Sequence, residues 1–220
     1  DTNGKATAFA TGMDDPKGLA FYGDTLYVAD KARILKVGPD GKWSVYAAAE
    51  AFPVTPQCHN DLEADGLGNL YVSDSGDLKG KGGAVYQVSK SGKVRLIASG
   101  DKDARIQAPN GLLLGGRGTL LEVDFDSGIL YRIKIKSGEM EKVAEGFGGG
   151  DGIVRAANGT LYVSDWKGGR VFAVSKKGEV TEFHGGFMAA ADIGLSHDGK
   201  YLLVPDMKAG ELVWLPLESK

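Results

Sequence analysis

Four side-chain oxygens recur at one register of this sequence. Counting back 14 residues from Asp30, Asp74, Asp124, Asp165 and Asp206 reaches Pro16, Asn60, Asn110, Asp151 and Asp192. Two amides and two carboxylates, with no thiolate among them, are hard oxygen donors that suit Ca²⁺, Mn²⁺ or Mg²⁺ better than zinc or copper. Calcium is the expected ion. Held there with water or a substrate oxygen, it would polarise a carbonyl or lower the pKa of water. The competing reading is strand capping, in which Asn and Asp bond to nearby backbone N–H groups. The five closing aspartates occur in every copy and therefore read as repeat architecture, outside the site.

These residues need elements that bring them together from 40 to 50 residues apart. The closing aspartates are spaced by 44, 50, 41 and 41 residues, and each ends a run such as DGIVRAANGTLYVSD, two apolar strands around a Gly-containing turn. Further strand pairs follow, such as RVFAVS with EVTEFH across Lys176-Lys177-Gly178-Glu179. That period predicts four-stranded propeller blades, whose innermost strands all start at one mouth of a central channel. The expected fold is all-β, a five-bladed propeller in one domain over residues 1–220. The fifth copy stops after ELVWLPL, so Lys5 to Thr11, preceded by the turn Asp1-Thr2-Asn3-Gly4, is expected to supply its fourth strand and close the ring.

Composition narrows the partners. With 42% hydrophobic residues and a net charge of −3, the 220-residue chain has the make-up of a globular domain. It has no membrane-length apolar run and no basic block interleaved with aromatics, so neither a membrane nor nucleic acid is expected. A small-molecule, sugar-like or lactone ligand and a monomer are expected instead. The 34 glycines fit a fold with many tight turns. The single Cys58 excludes an intrachain disulfide. A periplasmic or secreted location is favoured over the cytoplasm.

Other residues carry weaker chemistry. His59 adjoins Asn60 and is a candidate substrate contact or general base. Gly148-Gly149-Gly150 lacks the Gly-Lys-Ser/Thr continuation of a phosphate loop, and Ser73 and Ser164 lie outside any Gly-x-Ser-x-Gly nucleophile motif. The GDLKGKGG loop, residues 76–83, reads as a solvated insertion. Trp43, Trp166 and Trp214 read as blade-packing residues, with Trp166, just past a strand end, the one open to exposure.

The stretches CHNDLEADGLGNLYVSD, APNGLLL and GGDGIVRAANGTLYVSDWKGGRVFAV resemble the senescence-marker-protein, gluconolactonase and luciferin-regenerating-enzyme family of six-bladed propellers. The resemblance covers nearly the whole chain. It implies a divalent-metal-dependent lactonase, with Asn60, Asn110 and Asp151 on ligand positions and Asp151 as the acid that helps activate water. The family's remaining ligand, a Glu in a Glu-x-Pro motif of its first blade, has no counterpart, because the copies begin at what resembles the second blade. Asp14-Asp15-Pro16 imitates that motif in a different blade, and Asp192 is the candidate replacement carboxylate. The expected function is therefore hydrolysis of a lactone or ester by metal-activated water. The alternative is a non-catalytic five-bladed binding module or scaffold without a complete metal site.

Overall fold

A computed structural model describes residues 5–217. The first sheet comprises β1 (Pro16–Tyr22), β2 (Thr25–Asp30), β3 (Arg33–Val37) and β4 (Trp43–Ala47). The second comprises β5 (His59–Ala64), β6 (Leu70–Asp74), β7 (Ala84–Val88) and β8 (Val94–Ser99). The third comprises β9 (Pro109–Gly116), β10 (Thr119–Asp124), β11 (Ile129–Lys134) and β12 (Met140–Glu145). The fourth comprises β13 (Gly150–Arg155), β14 (Leu161–Asp165), β15 (Arg170–Val174) and β16 (Val180–Gly185). The fifth holds β17 (Gly194–Leu195), β18 (Tyr201–Asp206) and β19 (Glu211–Pro216). Every sheet is an antiparallel meander in chain order, giving the five-bladed all-β propeller that the repeat predicted.

The fifth sheet differs from expectation: among the described residues it has three strands. Lys5 to Thr11 is not a strand and does not pair beside β19; Asp1 to Gly4 lie outside the described residues. The segment runs to the first sheet instead, where Trp43 Nε1 donates to the Thr11 carbonyl at 2.9 Å. Ala10 and Met13 pack there with Leu26 and Trp43 over buried Val28, Leu35 and Val37.

The core is divided among the interfaces between consecutive sheets. Ala29 and Ile34 meet Leu62 and Tyr86 between the first and second. Tyr71 and Val85 meet Leu120 and Tyr131 between the second and third. Val123 and Phe147 meet Val163 and Phe172 between the third and fourth, and Tyr162 and Val171 meet Leu202 and Val204 between the fourth and fifth. Inner strands follow the same order, β1 on β5, β5 on β9, β9 on β13 and β13 on β17. No comparable packing joins the fifth sheet to the first among the described residues. Leu19 and Phe21 of β1, and Leu212 and Trp214 of β19, accordingly stand more than half exposed. Trp214 therefore does not pack between blades, contrary to the expectation from sequence.

The closing aspartates fasten each blade. Asp74 accepts from the backbone N–H groups of Gln57, Cys58 and Gly76 at 2.8 to 3.0 Å. Asp124 accepts from Gln107, Ala108 and Ser127, Asp165 from Gly149 and Gly168, and Asp206 from Met188 and Ala189. Asp30 takes Asp14 N, Asp15 N and the Arg33 guanidinium. A carboxylate with two or three backbone donors is saturated, which makes these residues structural clamps. They hold the start of each inner strand at one end of the molecule.

Candidate functional site

Three of the clamps each pair with the residue just before a ring position. His59 pairs with Asp74, Pro109 with Asp124 and Gly150 with Asp165, and in each case a register shift follows at the next two residues. Asn60, Asn110 and Asp151 occupy these irregularities. A bulge re-aims side chains, and these three stand where the regular ladder would otherwise dictate their direction.

Close backbone approach draws the positions together. A Cβ on Gly111 would stand 2.3 Å from the Asp151 carbonyl oxygen, and one on Gly152 would stand 2.5 Å from Asp192 Oδ1. Only glycine fits at either point. Ser164 Oγ accepts from Gly152 N at 2.8 Å and donates to the Ala191 carbonyl at 2.8 Å, which ties Asp151 and Asp192 through one hydroxyl. In the second sheet Ser75 makes an equivalent tie: its Oγ donates to the Pro109 carbonyl at 2.8 Å and receives Asn60 Nδ2 at 3.0 Å. Because that hydroxyl proton is spent on Pro109, Asn60 must present its NH₂ to Ser75 and keep Oδ1 as the free acceptor.

Burial governs the state of these oxygens. Asn110 is buried and its Oδ1 has no hydrogen-bond partner, an orphaned acceptor of a kind that proteins rarely leave empty. Burial, with the negative charge of Asp192 as a smaller cause, pushes the Asp151 carboxyl up to about 8. Burial likewise pushes Asp192 up to about 6. Two nearby carboxyls that resist ionising are what a divalent cation would relieve. Among the described residues no three His, Cys, Asp or Glu side chains are gathered closely enough to hold a metal. The donor set at issue contains only two such residues, Asp151 and Asp192, and its remaining oxygens are amides. On the orphaned Asn110 oxygen and the paired acids, the residues present fit a hard divalent ion.

His59 is displaced from the role the sequence proposed. It is fully buried, its ring 4.5 Å from that of Phe52 and 6.4 Å from that of Tyr86, and neither nitrogen has a hydrogen-bond partner. Burial pulls it down to about 4, so it is neutral at physiological pH. Neighbours along a strand point to opposite faces, and His59 faces the core between the first two sheets. Asp14 and Asp15, the imitation of Glu-x-Pro, are engaged with Lys31 and Lys17 respectively.

Three acids went unread in the sequence. Asp61 is buried, and its Oδ2 accepts from Leu112 N at 2.6 Å while Oδ1 accepts from Leu62 N at 2.7 Å, pinning the second sheet to the third. Burial first, then Asp192, raises its carboxyl well above the ordinary range. Glu63 is raised to about 7, mainly by burial, and reaches Leu114 N at 3.4 Å. Glu122 lies in the interface between the second and third sheets, beside its register partners Leu112 and Tyr131, with neither carboxyl oxygen hydrogen-bonded. The signal for it was present: two residues before the closing Asp the other copies carry Val28, Val72, Val163 and Val204.

Comparison with known proteins agrees with this architecture. The model of the SMP-30/gluconolactonase/LRE-like region matches residues 2–184. The strictosidine synthase-like 3 protein of Arabidopsis thaliana is 28% identical over 242 aligned residues, covering 90% of this chain and 59% of the relative. The chain therefore spans under two thirds of that relative's length. The calcium-binding protein regucalcin from Agrobacterium tumefaciens superposes with a TM-score of 0.70 at 21% identity, over 86% of this chain and 67% of that one. Virginiamycin B lyase from Staphylococcus aureus superposes with a TM-score of 0.66 at 15% identity, over 93% and 71% of the two chains. Likeness at these identities speaks to the fold alone.

Proposed function

The chain belongs to the SMP-30/gluconolactonase/LRE-like family, and from that premise we propose that it is a divalent-metal-binding, lactonase-like propeller that hydrolyses a lactone or ester at its channel mouth. Asn60, Asn110, Asp151 and Asp192 would hold the cation, calcium before manganese or magnesium. The observation that carries the reading is the buried, unpartnered Asn110 Oδ1 in the same ring as two carboxyls that burial keeps from ionising. The calcium-binding neighbour adds support for the choice of ion.

When bound, such a cation supplies Lewis-acid polarisation of a carbonyl and lowers the pKa of water. The chain's own contribution is binding, orientation and proton handling. Asn60, locked by Ser75, offers one oriented oxygen, and Gly111 and Gly152 let neighbouring strands approach so that the ring stays narrow. Hydrolysis joins a water oxygen to the carbonyl carbon, breaks the ester C–O bond and requires a proton to leave the water and reach the departing alkoxide. Asp151, a carboxylate of the ring, would carry it.

Isothermal titration of the chelator-stripped chain with Ca²⁺, alongside Asp151→Ala and Asn110→Ala, tests the reading. Saturable binding lost in both variants, with lactone hydrolysis that follows metal occupancy, is expected. Undiminished affinity in Asp151→Ala, or lactone turnover indifferent to chelator, would overturn it.

A further inference from the structure

The residue after each closing aspartate occupies the same place in every blade. Lys31, Ser75, Phe125, Trp166 and Met207 each donate a backbone N–H to a carbonyl at the approach to the inner strand, those of Asp15, Cys58, Ala108, Gly149 and Ala189, at 2.8 to 3.3 Å. These carbonyls lie one to three residues before the ring positions. The five residues therefore sit at the end of the fold where the inner strands start, each beside the approach to one ring position. Two are committed to polar partners, Lys31 to Asp14 and Ser75 to Asn60. The other three, in consecutive blades, are apolar.

Those three form a platform with cations over it. Phe125 and Trp166 have ring centroids 6.1 Å apart, and Met207 is 68% exposed. Lys167 Nζ stands 4.5 Å over the Phe125 ring and is shared with the Phe125 carbonyl and Asp126. Lys208 Nζ stands 4.2 Å over the Trp166 ring and has no acidic partner among the described residues. These contacts run from blade to blade, Phe125 of the third to Trp166 of the fourth and Trp166 to Lys208 of the fifth, so Trp166 packs between blades as the sequence suggested, while the Lys208 ammonium over it stays unneutralised among the described residues.

We propose that Phe125, Trp166 and Met207, with Lys208, form a substrate subsite that takes an aryl group bearing a negative charge. Resting on the hydrolase reading above, this names the substrate class: an ester or lactone whose carbonyl lies at the oxygen ring, whose aromatic ring packs beside Trp166 and Phe125 on the sides their lysines leave open, and whose anionic substituent meets Lys208. Lys208 sets that orientation, since its ammonium, without an acidic partner among the described residues, stands over Trp166. A neutral, hydroxyl-rich sugar lactone fits poorly, because three apolar side chains in a row return few of the hydrogen bonds its hydroxyls give up.

Titration calorimetry with 2-naphthoate and its neutral counterpart 2-naphthalenemethanol, on the full chain with and without Ca²⁺, tests the subsite without relying on turnover. The parent should bind the anion about fivefold tighter than the neutral probe. Lys208→Gln should erase that difference, and Trp166→Ala should weaken both probes. Should Trp166→Ala fail to fold, Lys208→Gln, a change at an exposed side chain, decides alone. Absence of naphthoate binding, or equal affinities in parent and Lys208→Gln, overturns the proposal. A chain that binds naphthoate through Trp166 and Lys208 yet hydrolyses no lactone removes the hydrolase reading and leaves this one. A chain that turns over lactones with unchanged naphthoate affinity in both variants does the reverse.

Discussion

Replacing Glu122 by valine should stabilise the protein. At the same register the other four blades bury Val28, Val72, Val163 and Val204 at no more than 1% exposure. Glu122 is equally buried, and neither carboxyl oxygen makes a hydrogen bond of ordinary geometry, the Asn110 N–H beside it being only a minor influence that holds its carboxyl down. A neutral carboxyl without hydrogen bonds in such a place costs about 1–3 kcal/mol, and valine returns a comparable apolar contact, so a gain of about 2 kcal/mol is expected near pH 5. Burial, with Asp124 the smaller cause, raises the folded carboxyl well above its unfolded value of 4.5. A raised acid adds stability that is whole below the unfolded pKa and is lost as pH climbs through the folded one. The parent should therefore lose up to about 1.4 kcal/mol per pH unit between those two values on account of Glu122, and the valine variant should not. For a chain of this length about 2 kcal/mol corresponds to a rise in Tm of roughly 4–8 °C. Thermal unfolding of both proteins by circular dichroism at pH 5, 6, 7 and 8 reads gap and slope together. A variant less stable than the parent, or a gap that does not widen with pH, would refute the reasoning.

Other outcomes follow from the same geometry. In the metal-free protein Asp151 near 8 and Asp192 near 6 are both raised, so stability should fall as pH rises from 5 to 8.5, and saturating Ca²⁺ should flatten the fall; identical pH slopes of Tm with calcium and with chelator would sink the idea. Asp74→Ala strips three backbone N–H groups of their acceptor and should cost about 3 kcal/mol in urea unfolding. A cost under about 0.5 kcal/mol, the range of an ordinary surface change, would mean the clamp is dispensable. Gly152→Ala puts a methyl 2.4 Å from Ile193 N and should both destabilise by about 2 kcal/mol and weaken calcium binding. Gly194→Ala, whose methyl meets nothing within 4 Å, is the control. Equal behaviour of the two alanine variants would show that the close approach does not shape the site.

Much of the architecture was legible because the repeat is written in residues with one physical job. The closing aspartates mark strand ends, and the 14-residue offset puts Asn60, Asn110, Asp151 and Asp192 at one common register without any knowledge of space. What failed needed knowledge of faces. Lys5 to Thr11 had the length and turn chemistry of a closing strand, but its fate was set by an uncovered apolar surface on the first sheet. His59 was judged by its neighbour in sequence, although alternation along β5 sends it to the other side. Glu122 was overlooked because an acid in a strand reads as solvent-facing until the copies are stacked at a common register. Phe125, Trp166 and Met207 are ordinary singly and become a platform only when one position is compared across blades.

The outward faces of the first and fifth sheets bear on the order in which the molecule comes apart. Because each sheet is buried mainly against the sheets before and after it, stability is a chain of nearest-neighbour couplings, as in a solenoid. Among the described residues the first and fifth sheets each hold one such coupling and the inner three hold two, so opening is expected to begin at the ends. The fifth sheet brings Asp206, whose clamp holds the approach to Asp192, and Met207 follows it. Fraying of that sheet would release a carboxylate of the oxygen ring and one wall of the platform while the central sheets stay intact. Loss of the site would then run ahead of loss of the fold, and occupancy by a cation shared between the fourth and fifth sheets would act as the fastener that delays both.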